Sequence, residues 1–590
     1  MKDFLKTIAA CFIGILMAGL VLPIVGIIGI AIIAASSEST TTIVDNSVLY
    51  LDFKGVLMER AEENPFASLM GNDYKEYGLD DILATIKEAK EDDRIKGIYL
   101  QAGIMEASSA SLEEIRHALA DFKESGKFIV AYGDQYSQGM YYIASIADKV
   151  IVNPQGSIAW HGLASQPVFY KELLEKIGLE MQIFKVGTYK SAVEPFIATE
   201  MSDANREQVS AFLNESWGEL TKAVSISRGI SVEKLNEYAD ALMDLKQAEE
   251  YITTGLADTL LYKDGVLNYL KHLTGTDKES KLNLVKLEDM NNNRKSNTSF
   301  VDFSSDNNKI AVFYAFGAID DSTSPNDGIN SEKVIKELRK LREDKEIKAV
   351  VLRVNSPGGS AYGSEQIWNE VVKLKAEKPV IVSMGDYAAS GGYYISCAAD
   401  CIVANPTTLT GSIGIFGMFP SAEKLLTDKL GLHFDMVKTN KLADMGNLTR
   451  KFNDSEKEIL QNYINNGYAL FLKRCADGRG MTTEQIAKIA EGRVWTGLKA
   501  KEIGLVDELG NLDKAIEIAA QKAGLTDYKV ATYPAKSDFM TKLMEEGKDD
   551  YMETMITERL GEYYNCIKFI NNVNNCDPIQ ARMPFELVVR

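Results

Sequence analysis

Arg94-Ile95-Lys96-Gly97-Ile98-Tyr99-Leu100 is echoed by Glu346-Ile347-Lys348-Ala349-Val350-Val351-Leu352. Further along, Ile129-Val130-Ala131-Tyr132-Gly133-Asp134 returns as Ile381-Val382-Ser383-Met384-Gly385-Asp386. Tyr141-Tyr142-Ile143 returns as Tyr393-Tyr394-Ile395, and Asn153-Pro154 as Asn405-Pro406. Every pair lies 252 positions apart, with no gap over about sixty residues. A register held that long marks a duplicated segment.

Each copy reads as short apolar runs alternating with amphipathic stretches. In the second copy, 349–352 and 380–383 have the composition of buried strands, while 364–376 and 392–399 read as the helices between them. Such alternation predicts an α/β fold of right-handed βαβ units around a mostly parallel sheet. Working outward, the first domain is expected over 44–287 and the second over 309–533. The polar stretch 288–308, with Asn291-Asn292-Asn293 and Ser304-Ser305-Asp306, reads as a linker. From 534 to 590 the chain turns Met-, Glu- and Tyr-rich, and a helical extension is expected there.

Residues 1–43 are read as a cytoplasmic stub and membrane anchor. Lys2 and Lys6 precede the run 8–35, which carries no charged side chain. About 20 apolar residues cross a bilayer as a helix, whereas a cleaved signal has an apolar core of only about 7–15. Ala34-Ala35-Ser36 resembles a cleavage site and keeps the cleaved alternative open. The flanking lysines place the rest of the chain on the extracytoplasmic side. A net charge of −19 speaks against nucleic acid, whose phosphates need clustered Lys and Arg. Six cysteines are too few for a disulfide framework in 590 residues. Cys397 and Cys401 read as two core positions of one helix, and pairing of Cys566 with Cys576 is left open. No Cys/His spacing suggests a zinc site, so neither metal nor cofactor is expected.

The differences between the copies locate the chemistry. Asp386-Tyr387-Ala388-Ala389-Ser390-Gly391-Gly392-Tyr393 aligns with Asp134-Gln135-Tyr136-Ser137-Gln138-Gly139-Met140-Tyr141. Ser390 is therefore replaced by Gln138. A serine followed by two glycines at a helix start exposes its hydroxyl on a tight turn and frees backbone N–H groups beside it. One strand earlier, Asn355-Ser356-Pro357-Gly358-Gly359-Ser360 faces Gly103-Ile104-Met105-Glu106-Ala107-Ser108 in the first copy. Paired glycines allow close backbone approach and offer donors to an oxyanion. Taken singly these are tight turns; both occur in one copy and neither in the other, which points to a nucleophile at Ser390.

The base is harder to read. None of the four histidines, His117, His161, His272 and His433, falls in a pattern that connects it to Ser390, although a histidine base stays open. His117 reads as helical and His272 as lying in a charged loop. A lysine can serve if burial keeps it neutral, at about 1.4 kcal/mol for each unit below its ordinary value of about 10.4. Ser231–Lys234 and Ser421–Lys424 are Ser-x-x-Lys strings, but they read as helix starts and no Lys-Thr-Gly accompanies them. The stretch Lys185-Val186-Gly187-Thr188-Tyr189-Lys190-Ser191-Ala192-Val193-Glu194-Pro195-Phe196 holds two candidates, with a small edge to Lys190 over Lys185.

With these residues in view, the chain resembles the long, duplicated form of the protease IV signal peptide peptidases (peptidase family S49), which are related to the Clp protease and crotonase folds. The specific pieces are Tyr189–Phe196, Asn355–Gly359, Ala389–Tyr393, Thr410-Gly411-Ser412-Ile413-Gly414 and the late Gln580-Ala581-Arg582-Met583-Pro584. The resemblance implies two tandem Clp/crotonase-like domains. It implies Ser390 as nucleophile, Lys190 from the other half as general base, and Ser412 as the residue that orients the lysine. Gly391 and Gly359 are then the expected oxyanion N–H donors. It also implies cleavage of remnant signal peptides and similar apolar peptides at the cytoplasmic membrane by a homotetramer. Two other readings compete: a tethered scaffold without activity, and a crotonase-type acyl-CoA enzyme.

Overall fold

The computed structural model describes residues 42–61, 75–298, 308–321, 328–536 and 579–583. The expected membrane anchor, Cys11, Cys566 and Cys576, and most of the expected helical extension lie outside the described residues. Among the described residues, no helix is long and apolar enough to cross a membrane.

The duplication is visible as two parallel sheets. The first orders Leu284–Lys286, Ser47–Asp52, Ile95–Ala102, Phe128–Tyr136, Lys149–Ile158 and Thr259–Leu260, all parallel. The second runs Leu409–Gly411, Val380–Ala389, Ile347–Ser356, Lys309–Phe316 and Lys529–Tyr533 in parallel, with Val494–Thr496 antiparallel at one edge. Cys401–Ala404 and Glu508–Leu509 extend it beside Val380–Ala389. The runs Ile98-Tyr99-Leu100 and Val350-Val351-Leu352 are buried on both faces, as strands of a covered parallel sheet must be.

Matched details carry the repeat well beyond the legible register. Helices Asp203–Arg228 and Asp454–Arg479 are both 26 residues long, capped by Ser202 and Asn453 and closed by left-handed Gly229 and Gly480. Arg228 pairs with Asp258 at 2.8 Å and Arg479 with Asp507 at 2.5 Å. Those aspartates accept from the backbone N–H groups of Val150 and Ile402. Tyr141 and Tyr393 each donate to a carbonyl, of Leu256 and Leu505.

A buried polar network locks the halves together. The Arg353 guanidinium donates to Glu59 and Glu114 of the first half, each at 2.7 Å, and to Ser383 Oγ at 3.0 Å. Asn355 and Asn405 donate to the same two carboxylates. Asp386 accepts from the Ser111 N–H at 2.8 Å and its hydroxyl at 2.6 Å. Burial pushes the Glu114 and Asp386 carboxyls up, while the two carboxylates hold Arg353 above its ordinary value despite burial.

Several local expectations are corrected. The stretch read as a linker begins as a helix, Leu287–Thr298, fastened by Arg294 to Glu88 at 2.5 Å. Polar composition misled there because only Leu287 and Met290 of its described side chains reach the first-half core, and Arg294 adds the ion pair. His272 lies in helix Lys263–Thr274, near its C-terminal end. Cys397 caps one helix and Cys401 opens a strand, so they do not share a helix; both are free and buried. The described end of the extension, Ile579–Arg582, is a strand.

Candidate active site

A third, smaller sheet sits across the two halves and positions the site. Its order is Ile329–Asn330, Ile319–Asp320, Gly358–Ser360, Ile579–Arg582, Phe416–Ser421 and Glu180–Lys185. The last pair is antiparallel and joins a first-half strand to a second-half strand over six residues. Among the described residues, the first half has a three-stranded counterpart, Lys75–Gly78, Gly55–Met58 and Met105–Glu106.

Ser390 leaves the end of Val380–Ala389 and caps the helix Gly391–Ser396 with φ 55° and ψ −110°. A non-glycine residue there holds about 1–3 kcal/mol of strain, which the surrounding structure must offset. Here the Ser390 N–H donates to Gly411 O at 2.8 Å, and Tyr394 N–H donates back to Ser390 O at 2.8 Å. The turn is thus fixed from both sides, and the hydroxyl is fully buried.

Lys190 follows the strand Glu180–Lys185 and enters the second half. Its Nζ lies 2.7 Å from Ser390 Oγ, 3.0 Å from the Ser412 carbonyl and 3.1 Å from Ser412 Oγ. A neutral amine has one lone pair and two N–H donors. Three partners in this arrangement suit it: the lone pair takes the Ser390 O–H, and the two N–H bonds meet Ser412. Burial holds the lysine well below its ordinary value, with no nearby carboxylate restoring it. Lys185, the other candidate of that stretch, donates instead to the Lys190 carbonyl at 3.5 Å. None of the described hydrogen bonds of Ser390 goes to a histidine.

The lysine segment is clamped by helix Asp203–Arg228. Gln208 Nε2 donates to Tyr189 O and to Ser191 Oγ, each at 3.1 Å, and its Oε1 accepts from the Val494 N–H at 3.2 Å. One buried side chain therefore ties the residues flanking Lys190 to the second half. Glu194 accepts from Ser202 N–H and Oγ and from Asn205, which holds the start of that helix against the lysine turn. Reading the sequence missed Gln208, because a polar residue inside an amphipathic helix carries no local signal of its partner 286 positions away.

The glycine turns converge as well. Gly358 has φ 98°, and a methyl group built on it would lie 2.7 Å from Gly391 N and 2.0 Å from Ala581 O. A methyl on Gly391 would lie 3.1 Å from Gly359 N. The backbone nitrogens of Gly359 and Gly391 therefore lie close to one another, and Gly391 is next in the chain to Ser390. Ser356 Oγ accepts from the Gly358 N–H at 3.1 Å and orders the turn.

The first half has closed the equivalent space. Gln138 Oε1 accepts from the N–H groups of His161 and Gly162 at 3.0 and 2.9 Å, and Nε2 donates to Gly162 O at 3.0 Å. Trp160 stands where Ser412 stands in the second half, fully buried and donating to Leu235 O. Among the described residues, no group of three His, Cys, Asp or Glu is placed to hold a metal ion.

Comparison with known proteins adds the lineage. The model of peptidase family S49 matches residues 121–277 and 372–526, once in each half. The chain belongs to peptidase family S49. It is a serine peptidase, built from tandem S49 domains of Clp protease-like fold; a Clp protease model also matches residues 319–407. Protease 4 of Salmonella typhi is 38% identical over 87% of this chain and 83% of its own length. Protease 4 of Haemophilus influenzae is 35% identical over 93% and 90%. The chloroplastic serine protease SPPA of Arabidopsis thaliana is 33% identical over 84% and 72%.

Proposed function

We propose that this S49 peptidase is a membrane-anchored endopeptidase that uses a Ser390–Lys190 dyad to degrade cleaved signal peptides and similar apolar peptides. The observation that carries the dyad is the 2.7 Å approach of a fully buried lysine to the strained serine. Neutral Lys190 accepts the Ser390 proton as Oγ attacks the scissile carbonyl. The N–H groups of Gly391 and Gly359 hold the oxyanion, and Ser412 keeps the amine aimed. The ammonium then protonates the leaving amine, and water hydrolyses the ester. Anchoring rests on Lys2, Lys6 and the charge-free run 8–35, with catalysis on the extracytoplasmic side of the cytoplasmic membrane.

A homotetramer is supported by segments left over from the duplication. Strand Glu180–Lys185 pairs with Phe416–Ser421, but their counterparts, 431–436 and 164–169, form no strand. Leu432, Phe434, Met436 and Val437 are exposed in the one segment, and Val168 is exposed in the other. Pairing 431–436 of one copy with 164–169 of the next would repeat the intramolecular joint head to tail, and such contacts form a ring when the rotation between copies closes. Phe434→Arg should then lower the mass seen by light scattering.

The reading is tested by reacting the purified chain with a fluorophosphonate and mapping the adduct while following hydrolysis of an apolar peptide. Ser390 should carry the label, and the label should abolish hydrolysis. Absence of labelling in a protein that turns over an acyl-CoA thioester would favour the crotonase-type alternative.

A further inference from the structure

Glu113 and Glu365 hold the same place in the two copies, 252 positions apart, yet only one of them has a counter-charge. Glu365 accepts from Arg474 at 2.5 Å and from the Tyr394 hydroxyl at 2.7 Å. Helix Asp203–Arg228 matches Asp454–Arg479, and Ala223 stands there in place of Arg474. Arg116 lies one turn on from Glu113, but it donates to the Tyr142 and Ala223 carbonyls and to Ser145 and Ser227 Oγ. Glu113 is 6% exposed, and its Oε2 accepts from the Thr407 N–H at 3.4 Å. Buried carboxylates are paired or bind cations, because an isolated buried charge is costly.

The Glu113 side chain borders a cavity of about 10 Å³, room for one water-sized guest. Ser109 and Glu113 lie four apart on helix Ser109–Lys123, and Ser216 and Leu220 lie four apart on Asp203–Arg228. That spacing brings one face of each helix to the cavity, and Thr407 of the second half lines it too. Ser109 Oγ, Ser216 Oγ and Thr407 Oγ1 are buried there without a hydrogen-bond partner. Ser216 and Thr407 are 1% and 6% exposed. The free groups are all oxygens, the ligand type that hard cations take. A single carboxylate balances a single positive charge. In the second half Gly467 and Phe471 replace Ser216 and Leu220, and the Phe471 ring stacks on Tyr394 at 4.3 Å. The polar lining is therefore particular to the first copy.

We infer that Glu113, Ser109, Ser216 and Thr407 form a binding site for one monovalent cation of sodium's size. The ion joins the two halves at a telling place. Ser216 shares its helix with Gln208, which holds the lysine segment. Thr407 lies just before strand Leu409–Gly411, whose Gly411 carbonyl accepts from the Ser390 N–H and which leads into Ser412. Ion occupancy therefore steadies both the fold and the pairing of Lys190 with Ser390. The effect on hydrolysis rests on the dyad reading above, whereas the effect on stability does not.

Full-length wild type, Ser216→Ala and Glu113→Gln proteins are unfolded by heat at pH 9, where protons compete least for the carboxylate. Sodium chloride is exchanged for choline chloride at constant ionic strength, so that screening stays fixed. Hydrolysis of an apolar reporter peptide is followed in the same mixtures. Wild-type Tm should rise by several degrees along a saturating curve as sodium replaces choline, and kcat should rise severalfold with the same half-saturation. Ser216→Ala should move the half-saturation severalfold higher, and Glu113→Gln should fold in choline and ignore sodium. Equal Tm in sodium and choline for wild type means that the cavity holds water only, and overturns the inference. So does a sodium response that survives Glu113→Gln. A saturating sodium effect on Tm in a protein not labelled at Ser390 supports the cation site and removes only the dyad.

Discussion

Gln138 and Ser390 occupy the same place in two copies of one fold, and the contrast between them is chemical rather than architectural. Both follow a central strand and open a short helix that carries a buried tyrosine, Tyr141 or Tyr393. Gln138 spends its amide on three main-chain partners of its own half, whereas Ser390 keeps its hydroxyl for a lysine from the other half. Trp160 fills the first half with a ring where Ser412 offers two acceptors to Lys190. Once the halves are joined in one chain, each needs only part of a site. In the proposed dyad the first half retains the lysine and the clamp, the second the serine and the glycine turns.

The contrast is most sharply broken by exchanging its defining residues. Ser390→Ala should cut kcat/KM on an apolar peptide by about 10³-fold or more, since the nucleophile is removed outright. Gln138→Ser should leave it within about twofold and create no second labelling site, because the described side-chain partners of Gln138 are main-chain groups of His161 and Gly162 and not a lysine. Next in size is the joint between the halves. Arg353→Ala leaves Glu59 and Glu114 buried without their cation and should cost about 3–5 kcal/mol in urea unfolding. Its first-half counterpart, Gln101, accepts from the Tyr99 hydroxyl at 2.7 Å, and Gln101→Ala should cost about 1 kcal/mol.

Lysine burial gives a pH-dependent effect. The unfolded chain binds a proton on Lys190 more tightly than the folded one, so wild-type stability rises with pH between the lowered folded value and about 10.4. Lys190→Met should therefore be more stable than wild type, with an advantage that shrinks by about 1.4 kcal/mol per pH unit in that window. Glu113 provides the opposite sign in the same half: burial pushes its carboxyl up to about 8. Stability present below its ordinary value of about 4.5 is lost as pH rises to about 8, so Glu113→Gln should gain on wild type over that range. A further effect is positional. Gln208→Ala should lower kcat about tenfold with KM nearly unchanged, since Gln208 touches the lysine segment and not the peptide.

What the sequence disclosed and what it hid follow the range of the interactions. The two sheets were legible because the apolar runs repeat in register, and Ser390 because its glycine turns are local and absent from the other copy. Lys190 was only narrowly favoured over Lys185, since what distinguishes them is burial created by residues 200 or more positions away. Arg353 and Gln208 were invisible for the same reason, as their partners lie in the opposite half. Ile579–Arg582 was marked by its motif but read within a helical extension. Four residues carry too short a pattern to identify a strand, and its pairing partners are elsewhere in the chain.

The central claim, that Lys190 of one half activates Ser390 of the other, is tested most directly by the acylation rate of Ser390. Wild type and Lys190→Ala would be reacted with a peptidyl fluorophosphonate between pH 6 and 10, with folding checked by circular dichroism. Wild-type acylation should climb with pH through a single ionisation as the lysine loses its proton. In Lys190→Ala it should fall by about 10³-fold and lose that ionisation. Acylation of Lys190→Ala within about tenfold of wild type, with the same pH profile, would contradict the account and return the base to another residue.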